Sequence, residues 1–280
     1  MPRGWGPVET GKTSLQSPPV DVVQNFQTHF SYRRSLLPGF ERAFLTTALR
    51  YFSALCGIYA IPILSQNILS RSIMLTVACV NRASTSPEAI QALAQRLGLP
   101  AVSPGVDLLQ YARHVLGRWL VLTVLQDLQV PVTVADIRTG PYGKPYIPAA
   151  PAFSLSHSHD LIICAALRYG PVGIDIEHLR PLVWPAYQQS FSQQEWHAVA
   201  TAAHPSEALL HRWTQKESVL KADGRGLQVP LSSVTLHGLL ATIGEEPQPW
   251  HLLPLAWQGY TVCVSTRVPV QTMRLRELIV

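Results

Sequence analysis

The chain has 280 residues, enough for one large domain or two small ones around a full core. With 47% apolar and 14% charged residues, it is excluded from the intrinsically disordered class. A formal net charge of +5 and a pI of about 9.2 favour acidic partners (nucleic acid, phosphorylated metabolites, acidic proteins or anionic membrane) without choosing among them.

Residues 1–35 are rich in Pro, Gly, Ser, Thr and Gln, show no sustained period, and read as poorly ordered. Within them Gly6–Thr13 matches the P-loop pattern G-x-x-x-x-G-K-[ST]. That pattern needs a strand before it and a helix after it. Here Pro2 and Gly4 precede it and Pro18-Pro19 follows, so the phosphate-cradle reading is set aside. Residues 36–72 read as one or two apolar helices. The most apolar stretch, Ala43–Leu64, is interrupted by Arg50 and Pro62. Its uncharged part, Tyr51–Leu64, has 14 residues where a membrane-spanning helix needs roughly 20. Arg33-Arg34 lies too far from the N-terminus, with no small-residue cleavage site after it, to read as a signal n-region. A cytoplasmic protein without membrane insertion is expected.

A first strand is expected from Met74 to Val80. Ser86-Pro87-Glu88 then supplies an N-cap, a proline at the first helical position and an acid in the first turn. Ala89, Ile90, Leu93, Ala94 and Leu97 form one helical face, and Gly98 ends it. Leu108–Leu128 is expected as a longer helix. Phe153–Ser158 is a short alternating run that closes in a polar loop. Leu161–Leu167 and Val172–Glu177 read as strands joined by a Gly170-Pro171 turn. Gln193–Ala203 and Glu207–Ala222 read as helices, and Val234–Leu240, Trp250–Leu255 and Tyr260–Thr266 as strands. Strands and helices alternate without a regular βαβ count, so the expected class is α+β. The four cysteines form no CxxC pair; Cys79, Cys164 and Cys263 sit in apolar runs and are expected as buried free thiols, with Cys56 upstream.

Three short segments carry chemistry. On a strand, Asp175 and Glu177 share a face while Ile174 and Ile176 share the other. Neighbouring carboxylates repel, and a nearby cation such as Mg²⁺ relieves that; solvated strand-edge acids are the alternative. In Arg212–Lys221, read as helix, Trp213, Glu217 and Lys221 fall at i, i+4 and i+8 on one face. That pattern suits either an ordinary surface ladder or a half-buried carboxylate able to bind metal or act as a base. In Phe153–Ser158, His157 beside hydroxyls suits a phosphate contact, or merely a polar turn. His157-x-His159 is half of a metal site at most, because further ligands at usable spacing are missing nearby. Arg138, Lys144 and Arg33-Arg34 form no basic stripe with interleaved aromatics, so nucleic-acid binding rests on net charge alone.

Gly143-Lys144-Pro145, Phe153–Ser158, Val172–Glu177 and Trp213–Lys221, in this order, resemble the successive motifs of the Sfp-type 4′-phosphopantetheinyl transferases, in particular the shorter bacterial members. The resemblance runs from about Met74 to Val280. It implies an α+β fold of two similar pseudo-symmetric halves, 74–171 and 172–280, with the active site in the cleft between them. It implies transfer of 4′-phosphopantetheine from coenzyme A to a serine of an apo acyl or peptidyl carrier protein, with release of adenosine 3′,5′-bisphosphate. By resemblance, Asp175, Glu177 and Glu217 hold Mg²⁺, Glu217 and Lys221 are catalytic, and Lys144, His157, Lys216, Lys221, Arg113 and Arg118 bind coenzyme A. The family also suggests a monomer. Ser154 stands where many members carry Asn, and residues 1–73 have no counterpart in the family's core; Met74 offers an alternative start. The competing readings are an inactive carrier-binding homologue and a basic nucleotide- or nucleic-acid-binding module.

Overall fold

The computed structural model describes residues 21–25 and 73–280. The P-loop-like stretch, Arg33-Arg34, Cys56 and the expected helices at 36–72 lie outside the described residues. Within the N-terminal segment, Asp21–Asn25 forms strand β1. Strand β2 (Met74–Asn81) follows, and the Asn81 side chain accepts from the Ala83 N–H to turn the chain out of it. Helix α1 (Pro87–Arg96) is capped by Ser86, which accepts from the Ala89 N–H, and it buries Ile90, Leu93 and Ala94. Helix α2 (Leu108–Asp127) starts on the Asp107 carboxylate and buries one face from Ala112 to Leu125. Among the described residues no helix is long and apolar enough to cross a membrane.

A small ribbon, β3 (Arg138–Thr139) with β4 (Pro145–Tyr146), leads into β5 (Ala152–Ser158), β6 (Leu161–Leu167) and β7 (Val172–His178). Helices α3 (Gln193–Ala200) and α4 (Pro205–Asp223) come next. Strands β8 (Val234–His237), β9 (Leu240–Ile243), β10 (Trp250–Trp257), β11 (Tyr260–Thr266) and β12 (Thr272–Leu278) complete the chain. Three expectations need correction. Phe153–Ser158 stays extended to Ser158, so His157 stands on a strand and not in a loop. Val234–Leu240 is not one strand, because Gly238, at φ 65°, turns the chain into the β8–β9 hairpin. Strand β12 was not anticipated, although Met273-Arg274-Leu275-Arg276 alternates apolar and polar; Glu277 breaks the alternation after it.

The strands form two five-stranded sheets, β1-β12-β2-β6-β5 and β7-β11-β10-β9-β8. All pairings are antiparallel except β12 with β2. The fold is α+β and stacks in layers. Helices α1 and α2 cover one face of the first sheet through Leu93, Leu116, Leu120 and Val124. The other face, through Leu75, Val77, Ile163 and Leu167, packs on Ile174, Ile176, Val262 and Val264 of the second sheet. Helix α4 closes the far side of the second sheet through Val219, Leu220 and Ala222. Strand β6 is therefore buried at every residue, which is why it reads as an unbroken apolar run. The sheets divide the chain near 171, except that β12 returns to the first sheet. Cys79, Cys164 and Cys263 are free and buried, and burial pushes the Cys79 and Cys263 thiols up to about 12.

One contact fixes α4 against β7. A Cβ at Gly173 would stand 2.0 Å from the Ser218 carbonyl oxygen and 2.3 Å from the Ala222 nitrogen. Helix backbone and strand backbone meet where only glycine leaves room.

Candidate active site

Strands β5 and β7 are the facing edges of the two sheets, yet they share no ladder. Their junction is made by hydroxyls. Ser154 Oγ accepts from the Ile174 N–H at 3.1 Å, and Ser158 Oγ accepts from the His178 N–H at 3.0 Å. Buried N–H groups of an edge strand need such partners. Ser154 thus serves the backbone of β7. The same row of serines reaches the acids: Ser156 donates to Asp175 Oδ1 at 2.9 Å and Ser158 donates to Glu177 Oε2 at 2.9 Å.

Beside this junction opens a cavity of about 360 Å³. Strand β7 presents Asp175 and Glu177 to it, and α4 presents Trp213, Glu217 and Lys221, the i, i+4, i+8 face expected from sequence. Strand β5 adds Ser156 and His157, and α2 adds Arg113. Asp175 is 5% exposed. Its Oδ1 accepts from Lys221 Nζ at 2.6 Å, while Oδ2 is buried without a hydrogen-bond partner. Burial pushes the Asp175 carboxyl up from the usual carboxylate range, and Lys221 pulls it back. The Glu217 carboxyl is also raised, first by burial, then by the Asp175 charge. His157 is lowered by burial, with Arg113 and Lys221 adding to the effect. The site is an acidic cup rimmed by basic groups.

Such a cup suits a hard divalent cation. Mg²⁺ takes one or two carboxylates and keeps several waters. Asp175 Oδ2, buried and unpaired, is the atom that a cation would satisfy, with Glu177 and Glu217 facing the same cavity. Among the described residues no three His, Cys, Asp or Glu side chains close around a common ion position; Asp175, Glu177 and Glu217 line the same cavity without converging on one point. His159 takes no part: it turns at φ 52°, stacks on His178 and bonds Asp160.

The other expected residues divide. Lys216 is fully buried and points away from the cavity. Its Nζ lies 2.8 Å from Glu195 Oε2 and 2.7 Å from the Val234 carbonyl, so the expected phosphate contact is corrected. Lys216 is next to Glu217, about 100° round the helix, and faces the opposite packing. Arg118 is not among the cavity's lining; its guanidinium meets His114 Nδ1 one turn back at 2.9 Å. Lys144 lines a neighbouring cavity of about 230 Å³ with Tyr142, Ser154 and Lys221. Its ammonium, however, donates to the carbonyls of Lys221 (2.6 Å) and Val172 (3.1 Å), capping the end of α4. Burial draws Lys144 down to about 8. Replacing Lys144 by Met should therefore cost about 1–3 kcal/mol of stability through orphaned carbonyls, read as a lower urea midpoint. An unchanged midpoint would show that the cap is dispensable.

Sequence reasoning missed Ser156, Ser158 and Glu195. The serines were legible as S-x-S-x-S at strand period, and Glu195 as the last residue of the capping box Ser192-x-x-Glu195.

Residues 171–262 match the family model of the 4′-phosphopantetheinyl transferase superfamily. A 4′-phosphopantetheinyl transferase of Bacillus subtilis is 41% identical over 100 residues, covering 34% of this chain and 44% of its own length. The 4′-phosphopantetheinyl transferase Sfp of Bacillus subtilis strain 168 is 38% identical over 133 residues, covering 45% of this chain and 58% of its own. The 4′-phosphopantetheinyl transferase psf-1 of Bacillus pumilus is 30% identical over 177 residues, covering 60% of this chain and 73% of its own. The chain spans about half the length of the first two relatives and nearly three quarters of the third.

Proposed function

This chain belongs to the 4′-phosphopantetheinyl transferase superfamily, and we propose on that premise that it transfers the 4′-phosphopantetheine group of coenzyme A to a serine of an apo acyl or peptidyl carrier protein. The observation that carries this reading is one cavity in which Asp175, Glu177 and Glu217 meet Lys221, His157 and Arg113. Coenzyme A is a polyanion, and this chain has a net charge of +5.

In this reading Glu217 accepts the proton of the carrier serine as its oxygen attacks phosphorus. The bond to the adenosine-bearing phosphate breaks, and adenosine 3′,5′-bisphosphate leaves. Lys221 has three N–H donors; Ser156 and Asp175 take two, leaving one for a phosphate oxygen. Arg113 and His157 stand at the mouth to hold the remaining phosphate charge. Asp175, Glu177 and Glu217 would hold Mg²⁺, which when bound supplies positive charge to the pyrophosphate oxygens. The chain's net charge of +5 favours encounter with acidic carriers. Action as a monomer in the cytoplasm is part of the same reading.

The test is incubation with coenzyme A, Mg²⁺ and apo carriers of the fatty-acid, polyketide and nonribosomal-peptide kinds, followed by intact mass. A mass gain of one phosphopantetheine on any of them is expected. No gain on any of the three classes sinks the proposal, and carrier binding without gain would favour the inactive homologue. Glu217→Gln is expected to slow transfer by about 10²–10⁴-fold.

A further inference from the structure

Lys216 and Glu195 touch neither the cavity nor its rim, yet they are the most completely enclosed charged pair among the described residues. We infer that this pair is a positioning device, setting the rotation of α4 so that Glu217 faces the cavity; the inference rests on the transferase reading above.

Glu195 closes the capping box of α3, accepting from the Ser192 N–H at 2.8 Å, and its other oxygen accepts from the Leu236 N–H on β8 at 3.2 Å. Lys216 donates to Glu195 and to the Val234 carbonyl, and its ammonium lies 5.2 Å from the centre of the Phe191 ring. The pair thus knots α3, β8 and α4 at one point. On the other side α4 is held by hydroxyls on β11: Thr214 faces Thr261, and Ser218 faces Ser265 at 2.6 Å. These contacts are made by neutral groups. Besides the Lys221–Asp175 pair at the cavity, Lys216 supplies a second directed, charge-assisted anchor on the opposite side of α4, and the next residue along is Glu217. A turn of α4 that freed Lys216 would swing Glu217 by the same angle, and misplacement of about 1 Å at a reacting group can cost 10²-fold in rate.

A role in stability alone predicts something different. Replacing a buried ion pair by neutral groups of similar volume is often harmless to stability. The full-length Glu195→Gln/Lys216→Met double variant separates the two roles, with Glu195→Asp, which keeps the charge but shortens its reach to Lys216, as the milder variant if the double one fails to fold. Each is compared with wild type for urea midpoint, Mn²⁺ affinity by electron paramagnetic resonance, and transfer kinetics. Expected are a folded protein, Mn²⁺ affinity weakened about tenfold, kcat down about 10–100-fold, and a KM for coenzyme A within about twofold. A folded variant with wild-type Mn²⁺ affinity and wild-type kcat overturns the inference. The wild-type arm reports the transferase reading separately. If wild type binds Mn²⁺ but transfers nothing, the affinity change alone decides the positioning role; if it does neither, Glu217 has no task to be positioned for and the inference falls.

Discussion

Asp175→Asn should lose transfer activity by at least about a hundredfold and yet unfold at the same temperature as wild type or higher. Activity falls because the carboxylate is removed from the floor of the cup, and an amide nitrogen in place of the buried Oδ2 repels a cation. Stability holds because that oxygen is already unpaired in the folded chain and the amide keeps one oxygen for Lys221 and Ser156. The sign of the pKa shift agrees. With the folded-state pKa raised, the favourable contribution of Asp175 is fully present below its ordinary value of 3.8. It is lost as pH rises through the raised folded value, so at neutral pH the charge works against folding. Thermal unfolding in metal-free buffer and the mass assay on an apo carrier read the two effects. Full transfer by the variant refutes the assignment of the site; a large drop in stability refutes the account of the orphaned oxygen.

Gly173→Ala should be the most damaging added methyl group among the described glycines, costing more than about 4 kcal/mol and leaving little folded protein. The added carbon would meet the Ser218 carbonyl and the Ala222 backbone, 2.0 and 2.3 Å away, and no rotamer change can move either. Helix α4 would have to lift from β7. That lift would also part Lys221 and Glu217 from Asp175, so any residual folded protein should transfer poorly. Soluble yield and urea midpoint check this, and a variant as stable as wild type would contradict the close approach of α4 to β7.

Much of this arrangement was legible in the chain. The N-cap at Ser86, the apolar face from Leu108 and the unbroken run at Leu161–Leu167 are local signals, and local structure follows them. The spacing of Trp213, Glu217 and Lys221 at four-residue steps placed all three on one cavity wall. The same spacing argued against Lys216: one residue from Glu217, it leaves that face, and motif resemblance alone assigned it to phosphate. Arg118, likewise taken by resemblance, turns to His114. What could not be read was the pairing of distant segments. No local signal says that β12 lies beside β2, or that Ser154, Ser156 and Ser158 would find the N–H groups and acids of β7. Those contacts follow from which sheet edges meet, a property of the whole fold.

The return of β12 to the first sheet bears on how the chain is made. Gln271 and Ile73 are bonded across 198 positions, so the inner edge of β2 waits, unpaired, while the whole second sheet is being synthesised. A chain that ends between Thr266 and Thr272 has every strand of the second sheet but leaves the first sheet with an open side on β2, an invitation to chaperones, proteases and aggregation.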